Sequence, residues 1–248
     1  MATETLTPTL ARERTETSPS VSRLGDGYVK RRAQLETYFD RTAVAAWARL
    51  TSDAPVSGIR ATVRAGRDRM RATLLSYLPA DLTGLRILDA GCGTGALAVE
   101  AAERGAEVVA VDLSPTLVGL ARERAPSRLT IEFRVGDMAD PALGRFDHVV
   151  AMDSLIHYPA HDMAHAAASL AARADRSLVF TFAPRTPLLS AMHAAGKLFP
   201  RSDRAPAIEP VGPAQIRKLI EADGLRTLRS DRVAGGFYIS QALEVVRA

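Results

Sequence analysis

The sequence of 248 residues contains a single cysteine, Cys92. One cysteine excludes an internal disulfide and any metal site built from several thiolates. The chain also lacks an apolar run near the roughly 20 residues that a membrane-crossing helix needs. Aromatic residues make up only 5% of it, and none of them alternate with basic residues as they do in nucleic-acid-binding segments. These absences predict a cytoplasmic protein that binds no nucleic acid and associates with a membrane at most peripherally.

The charge of the chain is also low. Its 32 basic residues outnumber its 28 acidic residues by a formal net charge of only +4. Much of the excess comes from an arginine-rich stretch between Arg60 and Arg71, so the charge favours an anionic substrate only slightly. A hydrophobic content of 47% is that of an ordinary globular protein with an apolar core.

Composition and hydrophobic periodicity divide the chain into five parts. The first is poor in apolar residues and is predicted to be a flexible tail, whereas the second carries two helical patterns, one from Gln34 and one from Gly58 to Leu78. The third alternates strands with helices, the fourth is an apolar insertion punctuated by prolines, and the fifth completes a sheet. The predicted bounds are 1–33 for the tail, 34–82 for the helical arm, 83–184 for the core, 185–213 for a substrate-facing lid, and 214–248 for the C-terminal part.

The alternation in the third part predicts an α/β fold. Parallel strands joined by helices bind their ligands at the carboxyl ends of the strands. One connecting helix has a clear start signal, because Ser114 is placed to cap it and Pro115 suits its first position. Two C-terminal strands are expected to join five strands of the core, which gives a mostly parallel seven-stranded sheet. The predicted strands cover residues 86–89, 107–112, 130–135, 146–152, 177–182, 225–233 and 237–246.

The loop after the first predicted strand reads Asp89-Ala90-Gly91-Cys92-Gly93-Thr94-Gly95. Its glycines allow a tight turn and a close approach to a ligand, as in the loops that hold pyrophosphate in dinucleotide-binding folds. Asp89 would repel a pyrophosphate, but it suits S-adenosylmethionine (SAM), which carries a cationic ammonium and a sulfonium. The loop therefore favours SAM over a dinucleotide. Cys92 is interpreted as a small loop residue rather than a reactive thiol.

Two further acids follow the next two strands. Asp112 is placed to accept hydrogen bonds from two ribose hydroxyls, and Asp137 can reach the adenine amino group while Met138 packs on the ring. A single acid here is as easily a loop or cap residue, but acids at the ends of three successive strands favour a methyltransferase. The predicted SAM-binding residues are Asp89, Gly91, Cys92, Gly93, Gly95, Asp112, Leu113, Asp137, Met138 and Met152.

Several other motifs resemble the magnesium-protoporphyrin IX methyltransferase family of chlorophyll and bacteriochlorophyll biosynthesis. The resemblance extends from Tyr38 to the C terminus, whereas the start of the chain is longer and richer in arginine than expected. It implies a Rossmann-like class I methyltransferase fold and methylation of one propionate of magnesium protoporphyrin IX. It also implies the porphyrin-binding subunit of magnesium chelatase as a partner and no protein-bound metal, since magnesium arrives inside the substrate. The motifs are Tyr38-Phe39 with Trp47, Asp153-Ser154-Leu155-Ile156-His157-Tyr158-Pro159, Phe182-Ala183-Pro184, Leu198-Phe199-Pro200 and Phe237-Tyr238.

The resemblance implies that Tyr38 and His157 are the catalytic pair. A propionate titrates near a glutamate, with a pKa of about 4.3, so it is ionised at neutral pH and does not demand a strong base. We expect His157 to orient the carboxylate or to remove a proton from any protonated fraction, and Tyr38 to cover the methyl donor. Arg60 and Tyr158 are the candidate substrate contacts, although arginines at positions 60, 64 and 67 are by default a solvated helix face.

Two other functions remain open from the sequence. The first is a methyltransferase acting on a quinone or another flat hydrophobic substrate, because the apolar insertion suits any such molecule. The second is a non-catalytic scaffold that keeps the fold, although a scaffold has no need of all three acids.

Overall fold

The computed structural model describes residues 25–41, 58–185 and 208–248. Helix α1 spans Asp26–Arg41 and so begins inside the predicted tail, before Gln34. It is anchored by Tyr28 and Leu35, which lie two helical turns apart on one face and are 1% and 4% exposed. Residues 26–33 carry many charges and few apolar residues, so their helical pattern is weak, and the start of the helix was predicted too late in the sequence. The predicted continuation of this helix towards Asp53 lies outside the described residues.

Helix α2 spans Ile59–Ser76 and agrees with the second predicted helix. Gly58 precedes it with a positive φ of 52°, a conformation that glycine adopts without a steric penalty. Met70 and Leu74 are fully buried on the side that faces the sheet. The arginine-rich stretch of the sequence lies on this helix.

The core has the predicted alternation of strands and helices. Five parallel strands lie in the order β3-β2-β1-β4-β5, and the C-terminal β8 joins β5 antiparallel. The prediction of a Rossmann-like, mostly parallel sheet is therefore confirmed. The elements are β1 (Arg86–Ala90), α3 (Ala96–Glu103), β2 (Glu107–Asp112), α4 (Pro115–Arg124), β3 (Ile131–Val135), β4 (Phe146–Ala151), α5 (Ala160–Ala171), β5 (Ala174–Phe182), α6 (Pro213–Ala222), β6 (Leu225–Thr227), β7 (Arg232–Gly235) and β8 (Tyr238–Arg247).

The sheet of the described residues has eight strands rather than seven. The predicted strand from Leu225 to Val233 is divided into β6 and β7, which pair with the same edge of β8. Thr227 pairs with Val245 whereas Arg232 pairs with Gln241, so the register shifts by one residue between the two. One extra residue in an antiparallel pair is a bulge, which the alternation of side chains does not signal.

Apolar layers cover both faces of the sheet. Along β4, Val149 packs into the layer that contains α1, α5 and α6, and Val150 packs into the layer that contains α2 and α3. This alternation is expected for a strand buried on both faces. No helix in the described ranges is long and apolar enough to cross a membrane.

The two ends of the predicted lid insertion meet at the carboxyl end of β5. Pro184 and Val211 form a parallel bridge, and the Val211 N–H donates to the Ala183 carbonyl at 2.9 Å. Residues 186–207 of the insertion lie outside the described ranges, so its role as a lid stays a prediction.

Candidate active site

A cavity of about 390 Å³ opens at the carboxyl ends of β1 to β4. This volume falls within the usual range for small-molecule sites, about 300–1,000 Å³. Its walls come from the glycine loop, from the loops after β2, β3 and β4, and from α1 and α2. Nine of the ten predicted SAM-binding residues line it, and so do His157 and Tyr158; the nine are Asp89, Gly91, Cys92, Gly93, Asp112, Leu113, Asp137, Met138 and Met152.

The glycine loop turns sharply after β1. Gly91 has a φ of 84°, and a Cβ at this position would lie 2.4 Å from the Cβ of Ser154. The N–H groups of Gly91 and Cys92 both donate to the Val111 carbonyl, which fixes the turn against β2. Gly95, the tenth predicted residue, caps α3 with a φ of 80° and packs on Phe133, so it shapes the loop without lining the cavity.

Asp89 ends up buried under this loop. Its side chain is 1% exposed, and its Oδ2 atom has no hydrogen-bond partner in the structure as described. Burial, together with the nearby Asp112 carboxylate, raises the pKa of Asp89 to about 7. A buried oxygen without a donor is costly unless a ligand supplies one. The ammonium group of SAM fits this requirement, because it is both a donor and a cation.

Asp112 is held by the backbone on both of its oxygens. Oδ2 accepts from the Gly93 N–H at 2.9 Å, and Oδ1 accepts from the Ser114 N–H at 3.0 Å. Burial raises the pKa of Asp112, and these backbone bonds oppose the shift. Ser114 also caps α4 by accepting from the Leu117 N–H, as the sequence predicts. A carboxylate fixed in this way keeps lone pairs for two ribose hydroxyls.

Asp137, the predicted adenine contact, is bound by α1. Its Oδ1 accepts from the Tyr28 hydroxyl at 2.9 Å and its Oδ2 from the Arg32 guanidinium at 2.9 Å. The Tyr28 ring stacks on Tyr158 with 4.8 Å between the ring centroids. Sequence reasoning missed Tyr28 and Arg32 because it assigned them to the tail. The seven-residue spacing from Tyr28 to Leu35 is the signal that could have found them.

The structure does not bring the predicted pair Tyr38 and His157 together. Tyr38 lies ten residues beyond Tyr28 on α1, which is about 15 Å along a helix axis. It lines a shallow surface depression with Lys30 and Thr37, and it is not among the described residues that line the cavity. Helix α1 begins earlier than predicted, and Tyr28 and Leu35 are its residues that line the cavity, so the pairing of Tyr38 with His157 stays a prediction.

Arg60, the predicted substrate contact, lies at the start of α2. It is exposed in the first turn of α2 and does not line the cavity formed by the described residues. One, two and three turns further along the same helix face, Arg64, Arg67 and Arg71 do line it. The helix was therefore predicted correctly, and the substrate contact on it stays a prediction.

His157 lies in the wall of the cavity, in the turn that follows β4. It ends a short 3-10 turn, Leu155–His157, that follows β4, and it is 7% exposed. The Ser154 hydroxyl nearby is buried and has no partner among the described residues. The Ile156 carbonyl accepts from the Glu209 N–H at 2.9 Å, and Glu209 pairs with Arg31 of α1 at 3.0 Å. The turn is thus linked both to the end of the insertion and to α1.

Two further residues, Arg173 and Cys92, contribute to the loops that line the cavity near Asp89 and Asp137. Arg173, which sequence reasoning missed, donates to the carbonyls of Met138 and Asp140 and so holds the loop after β3. Cys92 has a thiol pKa well above its ordinary value, because it is buried and lies near the Asp89 and Asp112 carboxylates. The thiol stays protonated, which supports its interpretation as a small loop residue.

A parallel sheet of this order, with a cavity suited to a cationic nucleoside at its carboxyl edge, defines a Rossmann-like class I SAM-dependent methyltransferase. A family model for a methyltransferase domain matches residues 87–175. A second model, described as magnesium-protoporphyrin IX methyltransferase C-terminus, matches residues 151–247. The magnesium-protoporphyrin O-methyltransferase of Rhodobacter capsulatus is 54% identical over 88% of this chain and 97% of its own length. The chain therefore belongs to the magnesium-protoporphyrin O-methyltransferase family.

A solved structure agrees with this assignment. The magnesium protoporphyrin IX methyltransferase of Synechocystis with bound SAH superposes with a TM-score of 0.78 and 32% identity, over 87% of this chain and 99% of that chain. Similarity to quinone enzymes is more limited. A ubiquinone biosynthesis O-methyltransferase of Xanthomonas oryzae pv. oryzae is 43% identical over only 34% of this chain and 38% of its own length.

Proposed function

We propose that the protein transfers the methyl group of SAM to a propionate carboxylate of magnesium protoporphyrin IX, giving the monomethyl ester. The observation that carries the proposal is the position of the segment from Asp153 to Pro159, which is the most family-specific motif of the sequence. Ser154 of this segment packs on Gly91 of the donor loop, and His157 lines the same cavity. The segment is therefore where an acceptor must lie to meet the methyl group.

The donor is held by carboxylates at the ends of three strands. Bound SAM supplies an electrophilic methyl group on a sulfonium. Asp89 binds the ammonium of the donor through its unpartnered oxygen, and Asp112 binds the ribose. Asp137 lies where the adenine is expected, and Tyr28 rather than Tyr38 covers the donor. These contacts hold the methyl group in one place relative to the turn after β4.

The acceptor needs orientation more than deprotonation. Its carboxylate is ionised at neutral pH, and the reaction of a carboxylate with a sulfonium destroys charge. A dry cavity favours that loss, whereas a tight arginine clamp on the reacting oxygen would stabilise the ground state more. His157 and the Ser154 hydroxyl orient the reacting carboxylate by hydrogen bonds. Correct alignment of oxygen, methyl and sulfur can contribute several of the roughly 7–11 kcal/mol available from orientation.

The remainder of the substrate lies towards α2 and α1. Arg64, which lines the cavity where Arg60 does not, binds the second propionate. Tyr158 acts chiefly through Tyr28, because its own ring is 1% exposed and stacked on that tyrosine. The reaction itself needs no metal from the protein, since its nucleophile is already an anion. Interaction with the porphyrin-binding subunit of magnesium chelatase, and weak attachment to a membrane surface, are supported by the family resemblance alone.

The test is incubation of the purified protein with SAM and magnesium protoporphyrin IX, followed by mass spectrometry for one added methyl group. We expect the wild type and His161→Ala to form the ester, because His161 lies exposed on α5. We expect His157→Ala to form little ester while binding SAH normally by calorimetry. Binding of SAH by the wild type without any ester product would overturn the proposal and favour the scaffold. Methylation of a quinone in place of the porphyrin would favour the alternative enzyme.

A further inference from the structure

Asp153 has an unusual backbone at the edge of the active site. Its φ of 53° makes it the only described residue other than glycine with a positive φ. Aspartate tolerates this left-handed region better than most residues, but the conformation still costs energy and persists only where the surroundings impose it. Asp153 lines the cavity, yet neither the donor contacts nor the acceptor contacts described above use it.

The surroundings of Asp153 hold both its backbone and its carboxylate. Its N–H donates to Thr181 Oγ1 at 2.7 Å, and that hydroxyl donates back to Asp153 Oδ1 at 3.1 Å. The Tyr238 hydroxyl lies 3.2 Å from both carboxylate oxygens. Arg67 Nη1 donates to Oδ2 at 2.5 Å, in an ion pair that leaves the Asp153 side chain only 7% exposed. Thr181 itself is fully buried.

These bonds join three elements to the end of β4. Thr181 belongs to β5, Tyr238 begins β8, and Arg67 belongs to α2. Burial and the Asp153 charge raise the pKa of Tyr238, so its phenol stays protonated and serves as a donor. Helix α2 approaches Tyr238 so closely that a Cβ on Gly66 would lie 2.6 Å from that side chain. Asp153 therefore links α2 to the ends of β4, β5 and β8.

We propose that Asp153 is a positioning residue for methyl transfer. Its carboxylate holds α2, and with it Arg64, over the acceptor side of the cavity. Its left-handed backbone turns the chain so that Ser154 meets the glycine loop and His157 enters the cavity. The inference rests on the proposed function, because it assigns Asp153 to the acceptor half of that same site. The donor contacts Asp89 and Asp112 come from other strands, β1 and β2.

Two substitutions of Asp153 test the contributions of its carboxylate and of its backbone conformation. Asp153→Asn keeps the shape and the tolerance for a positive φ but removes the charge that pairs with Arg67. Asp153→Gly relaxes the backbone and removes the side chain. We expect both variants to form ester at least about tenfold more slowly at saturating donor, since small misplacements of reacting groups have effects of this order. We expect the Kd for SAH to change by less than about threefold, because the carboxylates that contact the donor, Asp89 and Asp112, lie on other strands.

A matched control is Asp175→Asn, which disrupts an exposed ion pair with Arg145 at the amino ends of β4 and β5, opposite the edge that forms the cavity. It is expected to behave as wild type. Normal ester formation by both Asp153 variants would overturn the inference, and so would a loss of SAH binding in proportion to the loss of rate. If both variants fail to fold, Tyr238→Phe removes one donor and keeps the Arg67 pair, and it should show a smaller change of the same kind. A wild-type rate in Tyr238→Phe would then count against the inference.

Amide hydrogen exchange on the SAH-bound protein tests the role of Asp153 without the porphyrin substrate. We expect faster amide exchange in residues 154–158 and 59–71 of both Asp153 variants, and unchanged exchange in the loop after β2. If wild-type protein forms no ester from magnesium protoporphyrin, the proposed function fails while this measurement still decides the role of Asp153. Exchange equal to wild type in both segments would overturn that role.

Discussion

The donor half and the acceptor half of the cavity are built in different ways. In the donor half, Asp112 is fixed by N–H groups 2 and 19 residues away, and Asp137 accepts from an N–H only 2 residues away. In the acceptor half, Asp153 is bound by side chains 85 and 86 residues away. The donor half is therefore built mainly by strand ends and their loops, with Tyr28 and Arg32 of α1 added at Asp137. In the acceptor half, the Asp153 carboxylate is bound by side chains of three other elements.

The two halves also differ in charge. Asp89 carries a buried oxygen without a described partner, so the donor half is electrostatically incomplete until a cation binds. The acceptor side neutralises its acids internally, because Asp153 pairs with Arg67 and Glu209 pairs with Arg31. We infer that donor binding is driven by charge, and that acceptor binding depends more on shape and on the positions of the helices.

The largest expected effect comes from Asp89→Asn. Removing one member of a buried ion pair typically costs about 3–5 kcal/mol, so we expect SAH and SAM to bind more than about 100-fold more weakly. Calorimetric titration of the variant with SAH measures this directly. The unliganded variant should unfold at the same temperature as wild type or higher, because it no longer buries an uncompensated carboxylate. Wild-type affinity in the variant would contradict the charge difference between the two halves.

A second, smaller effect is expected from pH. The pKa of Asp89 is about 7 without ligand and its ordinary value is 3.8, and only the ionised form attracts the ammonium. Donor affinity should therefore fall by about tenfold between pH 8 and pH 6. The stability of the unliganded fold depends on pH in the opposite direction. The folded state holds the Asp89 proton more tightly than the unfolded state does, so this group adds stability as the pH falls from 7 towards 4. Titrations at several pH values with Asp89→Asn as the control test the assignment, since the variant should lose this dependence.

The sequence predicts the donor half well because its signals are local. A strand, a glycine turn and an acid at the strand end lie next to one another in the chain, and so do the cap residues Ser114 and Pro115. The order of the parallel strands follows from the same alternation. These features need no knowledge of how remote segments pack.

The acceptor half could not be predicted as completely. The motif around His157 identifies one wall, but no pattern links Asp153 to Tyr238 or to Arg67. The part of α1 that binds Asp137 in the donor half also escaped prediction, because residues 26–33 have the composition of a tail. The bulge that divides β6 from β7 could likewise not be predicted from the sequence, because one extra residue leaves the surrounding apolar alternation intact.

The smallest expected effect distinguishes the two tyrosines of α1, and it tests directly whether distant packing builds the site. Tyr28→Phe removes a hydrogen bond to the Asp137 carboxylate, of a kind that is worth about 1.5–3 kcal/mol at most, and it keeps the stack on Tyr158. Because Arg32 still binds Asp137, we expect donor affinity to fall only about fivefold. Tyr38→Phe should change neither donor affinity nor the rate of ester formation by more than about twofold, since Tyr38 is not among the described residues that line the cavity. Donor affinity and the rate of ester formation can both be measured on the same preparations of each variant. If Tyr38→Phe abolishes ester formation while Tyr28→Phe behaves as wild type, the catalytic pair implied by the family resemblance is correct, and α1 must lie differently over the cavity during the reaction.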